Sequence, residues 1–320
     1  MAAAGERPYL SVVVPLYNED AVVAELCERL HAALGSVTAA YEIILVDDGS
    51  SDATAERARA EHGRDARVKL ISLSRNFGHQ VALSAALDHT TGELTVMMDG
   101  DLQDPPELIP DMVAKAREGW DVIYAVKRSR PESWPKRLAF DAFHLLLRRV
   151  ADVSVPANAG NLSLMSERVV KVLRGMPERA RYLSGLRAWV GYRQTGIEID
   201  RGARYDANPR MSIRALSHLA FDALFGFSRL PLRLAIYAGL LISLGAIGVG
   251  VWVLYERLFT TNAITGWAST IVSITFIGGA ILLTLGIIGE YVGRIYDEVK
   301  RRPLYVVKET LGFASRPGAG

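Results

Sequence analysis

Two long stretches without a charged side chain, Leu234 to Tyr255 and Ala268 to Gly289, constrain this chain more than any other feature. Each runs about 22 residues, or about 33 Å as helix, enough to cross the ~30 Å hydrocarbon layer of a bilayer. Buried core helices of that length rarely lack all charge, and both stretches are rich in glycine, as membrane spans tolerate. Trp252, Tyr255 and Trp267 lie near the linker between them, and Tyr291 and Tyr296 near the far end. That placement fits an aromatic belt at the two interfaces.

The flanks set an orientation. The short linker carries one basic residue, Arg257, whereas Arg229 and Arg233 precede the pair and Arg294, Lys300, Arg301, Arg302 and Lys308 follow it. The positive-inside rule places both outer flanks in the cytoplasm. Residues Met1 to Arg7 hold no apolar signal core, so the front of the chain is expected in the cytoplasm too. The expected organisation is a cytoplasmic domain over 1–211, an amphipathic juxtamembrane segment over 212–233, two spans within 234–293 and a cytoplasmic tail over 294–320. The protein is then a multi-pass protein of the inner (plasma) membrane. Ser212 to Ser228 places Leu216, Leu219, Leu224 and Phe227 at helical spacing, which fits a helix in the headgroup layer or one packed on the front domain. A net charge of only +2 gives no field for nucleic acid. Cys27, the one cysteine, excludes an internal disulfide and fits the buried face of a helix.

Up to residue 125 the chain alternates short apolar runs with helical periodicity. Strands are predicted at Leu10–Val14, Tyr41–Val46, Val68–Leu73, Leu94–Met98 and Val122–Ala125, with helices at Glu19–Gly35, Ala53–His62, Gly78–His89 and Pro105–Glu118. Apolar strands separated by helices predict an α/β domain, Rossmann-like, with a mostly parallel sheet buried on both faces. Ligands of such sheets bind beyond the carboxyl ends of the strands. The polar loops fall at that edge: Pro15-Leu16-Tyr17-Asn18-Glu19, Asp47-Asp48-Gly49-Ser50-Ser51-Asp52 and Asp99-Gly100-Asp101-Leu102-Gln103-Asp104. No G-x-G-x-x-G or Walker-type loop occurs, which disfavours a dinucleotide fold or a P-loop NTPase.

Asp99 and Asp101 can both turn toward one point as the chain leaves its strand, with Gly100 letting the backbone bend. Such hard oxygen ligands suit Mg²⁺ or Mn²⁺ shared with substrate phosphates, and Gln103 can add a neutral oxygen. Asp47 and Asp48 can accept from ribose hydroxyls or a base, and Asp52 is expected to cap the helix after it. Tyr17 can lie against a base. Glu19 reads equally as an acceptor from that base or as a first-turn carboxylate favoured by the helix dipole. Arg75-Asn76-Phe77-Gly78-His79-Gln80 opens a helix, either as an anion site or as an ordinary junction. Lys127, Arg128 and Arg130 fit a diphosphate clamp or a solvated basic turn.

Together these strings resemble a known family. Val-Val-Val-Pro-Leu-Tyr-Asn-Glu, Asp-Asp-Gly-Ser-Ser-Asp, Arg-Asn-Phe-Gly-His-Gln, Met-Asp-Gly-Asp-Leu-Gln-Asp-Pro-Pro-Glu and the segment 289–305 are similar to the family-2, GT-A fold polyprenyl-phosphate glycosyltransferases. The resemblance spans about residues 9–312. It implies that Pro15, Tyr17, Glu19, Val46 and Asp48 hold the nucleoside, that Asp99, Gly100 and Asp101 also meet the nucleotide sugar, and that Asp99, Asp101 and Gln103 form the metal site. It implies that Lys127 lies near the donor phosphates and that Arg201, Arg204 and Arg210 form a basic segment at the diphosphate or acceptor phosphate. Asp99, Asp101, Lys127 and Arg204 become the expected catalytic set. The implied partners are a nucleotide-diphosphate sugar, UDP-glucose first, and a polyprenyl phosphate in the membrane, with a homotetramer as the implied assembly. Two departures stand out. Asp99-Gly100-Asp101 replaces the commoner Asp-Ala-Asp, a mild change. Asn161 and Ser163 stand where many members have an acidic residue and an arginine. A transferase with a polysaccharide or protein acceptor, or a non-catalytic scaffold, are the rival readings.

Overall fold

The computed structural model describes residues 7–127, 159–179, 181–199, 230–259 and 266–313. These fall into two units, a sheet domain closed by residues 302–313 and a pair of long helices.

Strands β1 (Leu10–Leu16) and β2 (Tyr41–Asp47) are buried at every position, because helices cover both faces of the sheet centre. They are joined by β3 (Val68–Leu73), β4 (Leu94–Met97), β5 (Val122–Lys127), β6 (Ala159–Ser166), β7 (Gln194–Ile199) and β8 (Val307–Leu311). The described sheet runs in the order β7-β5-β6-β4-β1-β2-β3-β8. Strands β1 to β4 are mutually parallel, β6 runs antiparallel between β4 and β5, and β8 runs antiparallel along β3. This is the mixed, mostly parallel sheet expected of the GT-A type.

The helices are α1 (Val23–Gly35), α2 (Thr54–Arg64), α3 (His79–His89), α4 (Ile109–Arg117), α5 (Glu167–Gly175) and α6 (Leu183–Trp189). Leu26, Leu30 and Leu34 of α1 are wholly buried against the sheet, each worth about 1.5–3 kcal/mol of burial. Cys27 lies among them, and burial, with the nearby Glu61 charge, pushes its thiol up to about 12, so it packs rather than reacts. The expected helix at 105–118 divides. A 3₁₀ turn, Pro106–Leu108, precedes α4, whose first turn accommodates Pro110 because its missing N–H would be unpaired there anyway.

Within the expected tail over 294–320, residues 307–311 form the edge strand β8 of the sheet domain. Arg59 bonds Glu309 at 2.8 Å and the Tyr305 hydroxyl donates to Asp88 at 2.8 Å. The partner strand is more than two hundred residues away, and Lys308 and Glu309 disguise the apolar alternation of an edge strand.

The second unit contains α7 (Leu230–Phe259) and α8 (Trp267–Val299), which pack on each other. Both are long and apolar enough to cross a membrane. Ile236, Leu240, Leu241, Leu244, Ile281, Leu282 and Leu283 are exposed. Apolar flanks of this extent indicate association with a membrane. The segment 212–228 lies outside the described residues.

Candidate active site

The loops after β1, β2, β3 and β4 are laced together at the carboxyl edge of the sheet. Asn18, at φ 54°, donates its N–H to Ser50 Oγ at 3.0 Å, and its side-chain oxygen accepts from Ser51 N at 2.9 Å. Glu19 N donates to Thr54 Oγ1 at 2.8 Å. Helix α1 starts only at Val23, so Glu19 lies ahead of the helix and not in its first turn. Asp52 stands one residue before the cap position, Ala53, yet still accepts from Thr54 N at 3.0 Å.

Asp48 is 2% exposed. Its two oxygens accept from Phe77 N at 2.8 Å and Gly78 N at 2.9 Å. Burial pushes its carboxyl above the usual carboxylate range, against the pull of those bonds. Its first task is therefore to hold the loop that opens α3. Gly49 meets the same loop. A methyl group there would lie 2.4 Å from the Arg75 carbonyl carbon and 2.6 Å from Asn76 N, and its φ is +69°. The positive φ alone would cost alanine about 1–2 kcal/mol, and the overlap with backbone adds to it. Gly49→Ala is expected to lower the thermal midpoint, read by differential scanning calorimetry. An unchanged midpoint would show that the two loops do not depend on each other.

That loop delivers His79. Its Nε2 lies 2.8 Å from Asp99 Oδ1, across twenty residues of sequence. Asn161 Nδ2 donates to both Asp99 oxygens, at 3.0 and 3.1 Å. The register explains the meeting: β6 sets Ser163 opposite Met97, which carries Asn161 toward position 99. Partial loss of hydration would lower the His79 pKa, but the Asp99 bond and the charges of Asp99, Asp48 and Asp101 outweigh it and raise it. Three carboxylates from two loops thus act on one imidazole, so the acidic loops do converge.

Asp101 accepts from Gln103 N at 3.2 Å, around a turn in which Leu102 takes φ 55°. Gln103 is 4% exposed, and its side-chain nitrogen is buried without a partner among the described residues. A methyl group on Gly100 would meet Leu16 Cδ2 at 2.6 Å and the Pro15 carbonyl at 3.0 Å, so the floor of the loop is close-packed. Among the described residues no three His, Cys, Asp or Glu side chains form a closed metal cage. Two half-open carboxylates fit a magnesium-like ion, which takes one or two protein oxygens and completes its shell from substrate phosphates and water. The carboxylates around His79, which lies 2.8 Å from Asp99, raise its pKa, as a cluster that favours positive charge would.

Other expected residues are placed differently. Pro15 and Val46 are buried partners in the β1–β2 ladder, beneath the site. Tyr17 is exposed. Lys127 ends β5, beside Ile199 of β7. Arg201, Arg204 and Arg210 lie outside the described residues, as do Arg128 and Arg130. Sequence reasoning did not single out His79 or Asn161 as partners of Asp99. The one available signal was that the Arg-Asn-Phe-Gly-His-Gln string leaves a strand at the same edge.

The family model for Glycosyl transferase family 2 matches residues 11–174, which include all of these loops. The chain belongs to glycosyl transferase family 2. An uncharacterized glycosyltransferase of Synechocystis sp. is 41% identical over 309 residues, 96% of this chain and 97% of the relative. An uncharacterized glycosyltransferase of Bacillus subtilis is 41% identical over 96% of this chain and 95% of its own length. A prophage bactoprenol glucosyl transferase homolog of Escherichia coli is 34% identical over 93% of this chain and 98% of its own. As a family 2 glycosyltransferase, the chain is an enzyme, and Asp99, Asp101, His79 and Asn161 lie within its matched domain.

Proposed function

We propose that this glycosyltransferase moves one sugar from a nucleotide-diphosphate donor, UDP-glucose first, to a polyprenyl phosphate at the cytoplasmic face of the membrane, with inversion. The observation that carries the reading is the Asp99–Asp101 loop, held by His79 and Asn161, on a chain that also has two membrane-length apolar helices. The relatives named bactoprenol glucosyl transferase, aligned over nearly their whole length, support a lipid acceptor of this kind. The positive flanks of the two helices support the cytoplasmic face.

A phosphate monoester has a second pKa of ~6 and is mostly dianionic at neutral pH. Its oxygen can attack the anomeric carbon without a protein base. The new O–C bond forms as the bond to the diphosphate breaks, and the nucleoside diphosphate leaves with the electron pair. The chain's residues need only to align the reactants and stabilise that leaving group. Asn161 and His79 fix the rotation of the Asp99 carboxylate. A divalent cation on Asp99 and Asp101 would supply Lewis-acid stabilisation of the departing diphosphate.

Membranes carrying the full chain, given undecaprenyl phosphate and a panel of radiolabelled nucleotide sugars, are expected to yield labelled lipid with one donor, and chelation should abolish it. Label that never enters the organic phase with any donor would end this reading.

A further inference from the structure

Arg187 of α6 is an oddity among the described residues. It is 1% exposed, and its Nη1 is buried without a hydrogen-bond partner. Among the described residues no carboxylate pairs with it; the titratable groups there that act on it are the phenols of Tyr182 and Tyr124. Its guanidinium lies 5.4 Å from the centre of the Tyr124 ring. Burial pushes it down to about 10, so it is still a cation at neutral pH. An isolated buried charge is strongly unfavourable, and folded proteins neutralise or pair such groups.

The position is as telling as the burial. Tyr124 on β5 stands opposite Ser163 on β6. Two residues before Ser163 on β6 is Asn161, which holds Asp99. A second link runs through the start of α6, where Leu183 N donates to Gln80 Oε1 at 2.9 Å. The same Gln80 side chain reaches His79 Nδ1 at 3.3 Å. Arg187 is thus linked, through Tyr124 and β6 and through Gln80, to a loop cluster whose acidic charge would by itself repel a phosphate.

We propose that Arg187 is the stored counter-charge for a phosphate oxyanion of the substrates, paired only when the site is filled. A planar fork of N–H donors suits phosphate oxygens, and the long aliphatic stem lets the head turn from the Tyr124 ring toward them. This rests on reading the loop edge as the nucleotide-sugar site. It adds a residue from outside the acidic loops. The oxyanion is either the donor diphosphate or the acceptor phosphate, and the two separate on measurement.

The test uses the full chain in detergent, as wild type, Arg187→Met and Arg187→Lys. It reads UDP affinity by calorimetry, the KM for undecaprenyl phosphate, and the thermal midpoint without ligand. Arg187→Met removes the charge and keeps the volume. Its unliganded midpoint should equal or exceed that of wild type, because an unpaired buried charge has gone. One affinity should fall by about tenfold or more while the other stays close to wild type, as expected for losing charged hydrogen bonds. Weaker UDP binding assigns the donor diphosphate, and a raised lipid KM assigns the acceptor. Arg187→Lys keeps the charge without the fork and should lie between; it carries the test if the methionine variant does not fold. Both affinities within twofold of wild type in Arg187→Met, or in Arg187→Lys where the methionine variant does not fold, would overturn the proposal. Wild-type protein that binds neither UDP nor the lipid would overturn the site reading itself.

Discussion

Asp101→Ala is expected to lower kcat/KM for sugar transfer by about a thousandfold or more. Stabilisation of a departing diphosphate by a bound cation is worth several kcal/mol, and each 1.36 kcal/mol is a factor of ten in rate. The fold should hardly notice. Asp101 is only partly buried, and among the described residues its carboxylate accepts one bond, from Gln103 N. The loop keeps its turn through Leu102 and its packed floor at Gly100. Asp99→Ala is the contrasting control, because it also releases His79 and the Asn161 amide. Circular dichroism and the thermal midpoint should match wild type for Asp101→Ala while labelled lipid disappears. Full transfer by that variant would remove the cation from the mechanism and leave the acidic loop as a solvated turn.

The parts of this fold that could be read from sequence are those whose signal is local. Leu10–Leu16 and Tyr41–Asp47 announce themselves because a parallel strand covered on both faces is an unbroken apolar run. The loops after them are equally legible, since the parallel arrangement sends every such loop to one edge. Strands β6 and β8 had no such signature. Asn161 and Ser163 interrupt β6 with polar side chains, and its antiparallel partners are distant in sequence. The same non-locality hid the bond between His79 and Asp99, which two separate crossovers create. Asp48 was legible as a site residue but not as a clamp on Phe77 and Gly78, because that task depends on which loop folds over it. Nothing in its neighbours distinguishes Arg187 from a solvated arginine on a short helix; only its burial does.

Glu42→Gln should produce the largest loss of stability in the sheet domain, at the edge opposite the site. Glu42 is 2% exposed and accepts from Ser11 Oγ at 2.5 Å, Thr91 N at 2.9 Å and Lys69 Nζ at 2.6 Å. Burial alone would raise its pKa. The bonds from Lys69 and Ser11 outweigh that and hold it below its ordinary 4.5. A depressed carboxylate stabilises the fold fully above its unfolded pKa and loses that contribution as pH falls through the folded one. The glutamine variant strands a mostly buried ammonium, which costs about 3–5 kcal/mol at neutral pH. Lys69 keeps some water, at 21% exposure, which favours the lower end. The thermal midpoint of wild type should therefore drop as pH is lowered below 4.5, the variant should start lower and change less, and the two should converge in acid. Because Ser11, Glu42 and Gly92 tie the amino ends of the strands, donor KM measured well below the midpoint should not move. A midpoint gap that persists unchanged into acid would show that the carboxylate charge is not what holds this edge.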